Sequence, residues 1–167
     1  MHFNIGDPVV HWTYGLGNII GKEEREISGK KQVYYEVRVN DLTVWVPADE
    51  QVTNRLRQPT SAAEFGQLFS ILASPGEPLP ENRLERKVEI VEKLKDGRAD
   101  TLCKVIRDLS CYQQIRALNE TDHGLMNRVH NTLIGEWVYA LSISVMDAEK
   151  ELRQILSTCK PVELASK

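Results

Sequence analysis

Trp45 is the residue whose chemistry stands out first. It lies in the β-rich run Leu42-Thr43-Val44-Trp45-Val46, where Leu42, Val44 and Val46 would line one face and Thr43 and Trp45 the other. If the aliphatic face is core, Trp45 points outward, with a large apolar area and a single N–H donor. That combination is favoured at interface centres. A competing reading has a following short helix covering it. The other chemically capable residues are scattered. Cys103, Cys111 and Cys159 include no CxxC pair and no nearby histidine at zinc-like spacing, which reads as free thiols without a metal site. His11, His123 and His130 have no nucleophile or paired carboxylate beside them, and Gly15-Leu16-Gly17 lacks the third glycine of a phosphate loop. No enzyme, cofactor or metal is expected.

The elements that would carry these residues follow from the pattern. Val9–Trp12, Asn18–Ile27, Gln32–Val39 and Leu42–Val46 read as strands, joined at Ser28-Gly29 and Asn40-Asp41 by hairpin-type turns. Gly15 and Gly17 suggest a tight loop or bulge. Val33, Tyr35, Val37 and Val39 alternate with Tyr34, Glu36 and Arg38, so one face of this strand is core. Several short strands in so little chain fit a small bent barrel of SH3 or Tudor type.

Beyond Pro47 the period changes. Residues 61–73 read as a short helix with Phe65, Leu68, Phe69 and Leu72 on one side. Ser74-Pro75-Gly76-Glu77-Pro78-Leu79-Pro80 then breaks any regular structure and is expected to hold the domain boundary. Leu84, Val88, Val91 and Leu94 form a stripe ending at Gly97, and Asp100 is a candidate N-cap for a helix carrying Leu102, Val105, Ile106 and Leu109. Asn119 with Asp122 suggests a capping box. The helix it opens carries Leu125, Val129, Leu133, Trp137, Leu141 and Val145 at steps of four. Trp137 is therefore expected in the core, and Gly135 marks close packing or a weak point. The tail after Leu156 should fray. The fold class is α+β: a barrel over 1–58, a short helix and proline-rich linker over 59–80, and a helical domain over 81–160.

Composition narrows the function. The net charge of −3 argues against a protein that wraps nucleic acid by bulk electrostatics. Residues 1–80 hold seven Lys/Arg against ten Asp/Glu, and residues 81–160 balance thirteen against thirteen, so neither half is a basic module. With no long apolar run and no signal-peptide pattern, a cytoplasmic protein without a membrane segment is expected.

The strand region resembles the polymerase-interacting domain shared by CarD/CdnL proteins and transcription-repair coupling factors. The resemblance lies in the ordered series Phe3-Asn4-Ile5-Gly6-Asp7-Pro8-Val9-Val10, Gly15-Leu16-Gly17, residues 26–31, Tyr34-Tyr35 and Asp41-Leu42-Thr43-Val44-Trp45-Val46-Pro47. Residues 92–97, 104–109 and 133–136 resemble the helical domain of CarD/CdnL regulators, which coupling factors do not carry beside the barrel. The resemblance implies a bacterial transcription regulator, nucleoid-associated through polymerase. A monomer is expected, since two aromatic-rich domains joined by a short linker can stand alone. Its barrel would bind the RNA polymerase β subunit, and its helical domain would sit near promoter DNA at the upstream edge of the bubble.

Arg25 agrees with a family arginine on the polymerase-facing surface, and Trp45 falls where relatives often have arginine. Taken alone, Arg25 reads as a solvated strand charge among Glu23, Glu24 and Glu26. The family's wedge tryptophan aligns with Arg83, and the loop before Gly15 has His11-Trp12-Thr13-Tyr14 without the family proline. Arg83, Arg86 and Lys87 could form a DNA-contacting patch, since guanidinium stacks on bases and pairs with phosphate. Alternatively, they belong to a solvated helix face diluted by Glu81, Glu85, Glu89 and Glu92. Two further functions stay open: a polymerase-bound adaptor without fork contact, and a Tudor- or SH3-like module binding peptide or RNA.

Overall fold

A computed structural model describes residues 2–160. The chain divides between Pro59 and Thr60 into two units, a bent antiparallel sheet and a helical assembly. The first holds β1 (Pro8–His11), β2 (Gly15–Ile27), β3 (Lys30–Val39), β4 (Leu42–Pro47) and β5 (Leu56–Arg57), ordered β4-β3-β2-β1-β5. Ser28 and Gly29 both have positive φ, 54° and 77°, matching the two-residue turn whose twist suits a hairpin. The register of β2 against β3 shifts between Ile19 and Gly21, which lets this long strand bend and pair with β1 at its start. Phe3, Val9, Ile19, Tyr35, Val37, Val39, Val46, Val52 and Leu56 fill the enclosed side. The architecture is Tudor-like, as expected.

Three details differ from the sequence reading. Gly15-Leu16-Gly17 begins β2 instead of forming a loop. Leu42 is 45% exposed at the turn end of the β3–β4 hairpin, where it pairs with Val39 beside Asn40-Asp41. The two-residue β5 was too short to leave a periodic signal. Gly17 is required by close approach: a Cβ there would strike the Arg38 carbonyl oxygen and lie 2.7 Å from Val39 Cγ2. Gly17→Ala should cost about 1–3 kcal/mol, a typical overpacking penalty, read as a lower denaturation midpoint in urea.

The second unit contains α1 (Ala62–Ala73), α2 (Arg83–Leu94), α3 (Ala99–Ile115), α4 (Glu120–Leu141) and α5 (Val145–Ser157). Capping boxes at Ser61/Glu64 and Asn119/Asp122 start α1 and α4. Arg98, not Asp100, is the N-cap of α3; Asp100 lies inside the first turn and accepts from Arg98 Nε at 2.9 Å. Trp137 is fully buried, with Phe65 and Phe69 at ring-centroid distances of 5.7 and 5.0 Å. A Cβ at Gly135 would meet nothing within 4 Å, so that glycine does not mark close packing.

The domain boundary therefore precedes α1, and the proline-rich segment is no linker between units. Leu79 is buried, Glu77 N–H donates to Asp108 Oδ1 at 2.9 Å, and Arg107 Nη1 donates to Ser74 Oγ at 2.6 Å. Proline keeps the segment extended while α3 supplies its hydrogen bonds. The apolar steps of four do not continue through Val145, either. Ser142 closes α4 with φ 52°, Ser144 caps α5, and Val145 is 53% exposed.

The cysteines also require correction. Cys111 and Cys159 form a disulfide with Cα atoms 5.9 Å apart, while buried Cys103 is not disulfide-bonded. Cys159 is only 4% exposed, so the chain does not fray after Leu156 as far as Lys160; residues further on lie outside the described ones. Closing a separation of 48 residues is worth about 4 kcal/mol by loop-closure entropy.

Candidate functional site

The antiparallel register aligns Gly21, Glu36 and Trp45 across β2, β3 and β4, and next to them Glu23, Tyr34 and Pro47. Alternation places Arg25 on this same face, opposite the one carrying Tyr35, Val37 and Val46. The structure brings the two expected barrel residues together. The Arg25 guanidinium carbon lies 3.5 Å from the centroid of the half-buried Trp45 ring. Arg25 Nε is also 3.7 Å from Glu23 Oε2, and the arginine side chain stays 43% exposed. Stacking orients the guanidinium and keeps its charge available at the surface. A flat apolar ring under a fixed cation is suited to gripping a protein surface that offers a carboxylate beside an apolar pocket.

Phe65, Leu68 and Leu72 are buried within the helical unit's own core.

The expected patch on α2 separates. Asn82 caps the helix, its side chain accepting from Leu84 and Glu85 N–H, which projects Arg83 from the first position. Arg83 and Lys87 are exposed, and no ion pair engages either among the described residues. Glu89 and Glu92 are paired with Lys93 and Lys95 at 3.4 and 2.6 Å, so these acids dilute the two cations less than their number suggests.

Arg86 does not belong to this surface. It is 3% exposed and grips Asp122 with both forks, Nε to Oδ1 at 3.0 Å and Nη2 to Oδ2 at 2.7 Å. Its Nη1 donates to the Pro80 and Glu81 carbonyls and to the Tyr112 hydroxyl. Burial raises the pKa of Asp122, but the Arg86 hydrogen bonds, the Asn119 amide and the arginine's charge outweigh it and hold the carboxyl below its ordinary range. Arg86 is thus an internal brace joining α2, the proline-rich segment, α3 and α4.

The buried stripe of α2 is Arg86, Ile90 and Leu94, which turns Leu84 and Val88 outward at 65% and 54% exposure. The sequence pattern groups both in one apolar stripe with Val91 and Leu94. Their outward position sets an apolar pair beside Arg83 and Lys87, an arrangement the sequence signalled only through the polar residue in the competing stripe. The described residues contain no metal-binding cluster and no helix long and apolar enough to cross a membrane.

The chain thus combines a Tudor-like sheet displaying an aromatic–cation pair with a compact helical unit. Residues 3–58 match the family model described as the CarD-like/TRCF RID domain, and residues 67–153 match that of the CarD C-terminal domain. The chain belongs to the CarD family. It is similar to YdeB of Bacillus subtilis (strain 168), a candidate transcription factor by its name, with 27% identity over 137 residues, 80% of this chain and 89% of that protein.

Proposed function

We propose that this regulator docks on the RNA polymerase β subunit through the face carrying Arg25 and Trp45, and so brings Arg83 and Lys87 to the promoter fork. The observation that carries the reading is the stacked pair: an outward tryptophan with a guanidinium 3.5 Å from its ring centroid, on the non-core side of the sheet. An acidic protein gains little from free diffusion to DNA, and docking on polymerase raises the local concentration of its few cations near the template. Cytoplasmic location and association with the nucleoid follow from such docking.

The full chain should bind an isolated β-subunit lobe; absence of binding would refute the dock. Open-complex lifetime tests the second half. Arg83→Ala/Lys87→Ala should change that lifetime severalfold while leaving polymerase affinity intact.

A second reading makes the chain a polymerase-bound adaptor without fork contact. It is favoured by the withdrawal of Arg86, which leaves a smaller basic surface than the sequence suggested. Equal open-complex lifetimes for wild type and the double variant would decide for the adaptor.

A further inference from the structure

We propose that Cys111 and Cys159 form a reversible redox site, whose bond state sets the order of the end of α5 and of the proline-rich segment. The inference rests on the proposed polymerase role in one respect only: it places the chain in a thiol-reducing compartment, where a disulfide is typically transient and redox-sensing.

Several observations locate the site. Cys111 lies on α3, Cys159 just past α5, and both are buried, at 3% and 4% exposure. The Cys159 carbonyl accepts from Gln114 Nε2 at 3.1 Å, so the segment is aligned on α3 by more than the sulfur bond. Ser157, Thr158 and Lys160 around it are exposed. Opening of the last turn therefore uncovers Cys159 before Cys111.

A third segment meets the pair. A Cβ at Gly76 would lie 2.6 Å from Cys111 Sγ, so the proline-rich backbone rests directly on that sulfur. One turn away, Asp108 and Arg107 hold Glu77 N–H and Ser74 Oγ. This segment runs straight into α2, whose first turn presents Arg83.

The exchange partner is a small disulfide of the glutathione type. The Cys159 thiolate attacks one of its sulfurs, forming a mixed disulfide and releasing one small thiolate. The Cys111 thiolate then attacks the Cys159 sulfur, closing the protein bond and releasing the second. Two electrons pass to the small disulfide, and the two cysteine protons end on the two small thiols released. Reduced glutathione reverses both steps.

The test equilibrates the full chain in glutathione buffers of graded ratio, then counts maleimide-reactive thiols after unfolding and measures amide hydrogen exchange. Oxidised protein should show one reactive thiol in place of three, with the link mapped to Cys111 and Cys159. Millimolar reduced glutathione should return all three thiols. Reduction should also speed exchange in residues 74–80 and 150–160 about tenfold, as expected for local opening. Cys111→Ser should stop at a mixed disulfide on Cys159, Cys159→Ser should form no internal bond, and Cys103→Ser should keep the full response.

Three reactive thiols in fully oxidised glutathione, a bond that resists reduction, or exchange that ignores bond state would each overturn the proposal. Thiol counting needs no polymerase. Failure to bind the β-subunit lobe would count against the docking reading alone.

Discussion

Asp122→Ala should lower the unfolding free energy by about 3–5 kcal/mol, the cost of breaking a buried ion pair and leaving one partner charged. Arg86 would remain at a site with 3% exposure, facing two backbone carbonyls and the Tyr112 hydroxyl without its carboxylate. The same change removes the carboxyl half of the capping box at the start of α4, which adds to the loss. Replacing both partners with apolar residues of similar volume, Arg86→Met/Asp122→Leu, should cost less than either single truncation to alanine, because no charge is stranded.

The pH dependence has a definite sign. The folded-state pKa of Asp122 is lowered, so its contribution is present above the unfolded carboxyl value of about 4. It is lost as pH falls from there through the folded-state value. Thermal melts at falling pH in that range should therefore destabilise wild type more steeply than Asp122→Asn.

Trp45→Ala should weaken polymerase affinity by about 2 kcal/mol or more, roughly thirtyfold, as truncation of a central interface tryptophan does. The side chain supplies both the apolar surface and the platform under Arg25. Arg25→Ala should cost less, since its side chain is 43% exposed and already near Glu23. The two effects should not add. Their stacking predicts a coupling of about 0.5–1 kcal/mol in a double-mutant cycle of polymerase affinity.

Much of this was legible because it is periodic. Alternation in β3 and β4 identified the core face and turned Trp45 outward, and the motif order identified the family. The approach of Arg25 to Trp45 was not legible, because it depends on register across an intervening strand. Arg86 shows a different limit. The stripe of Leu84, Val88, Val91 and Leu94 looked like a core face, while the true stripe begins with a buried arginine that hydrophobic pattern alone assigns to solvent. Its partner Asp122 lies 36 residues away, and no local spacing connects them. The disulfide is hidden for the same reason, its cysteines being 48 residues apart. The break between α4 and α5 did leave a signal: Ser144 followed three residues later by Asp147 is a helix start, overridden in the sequence reading by the apolar step to Val145.

The most direct test titrates the labelled full chain into core RNA polymerase, comparing wild type with Trp45→Ala. Docking through the Arg25–Trp45 face predicts saturable wild-type binding, competed by a β-subunit lobe fragment and weakened about thirtyfold by the substitution. Unchanged affinity in a folded Trp45→Ala protein would contradict it.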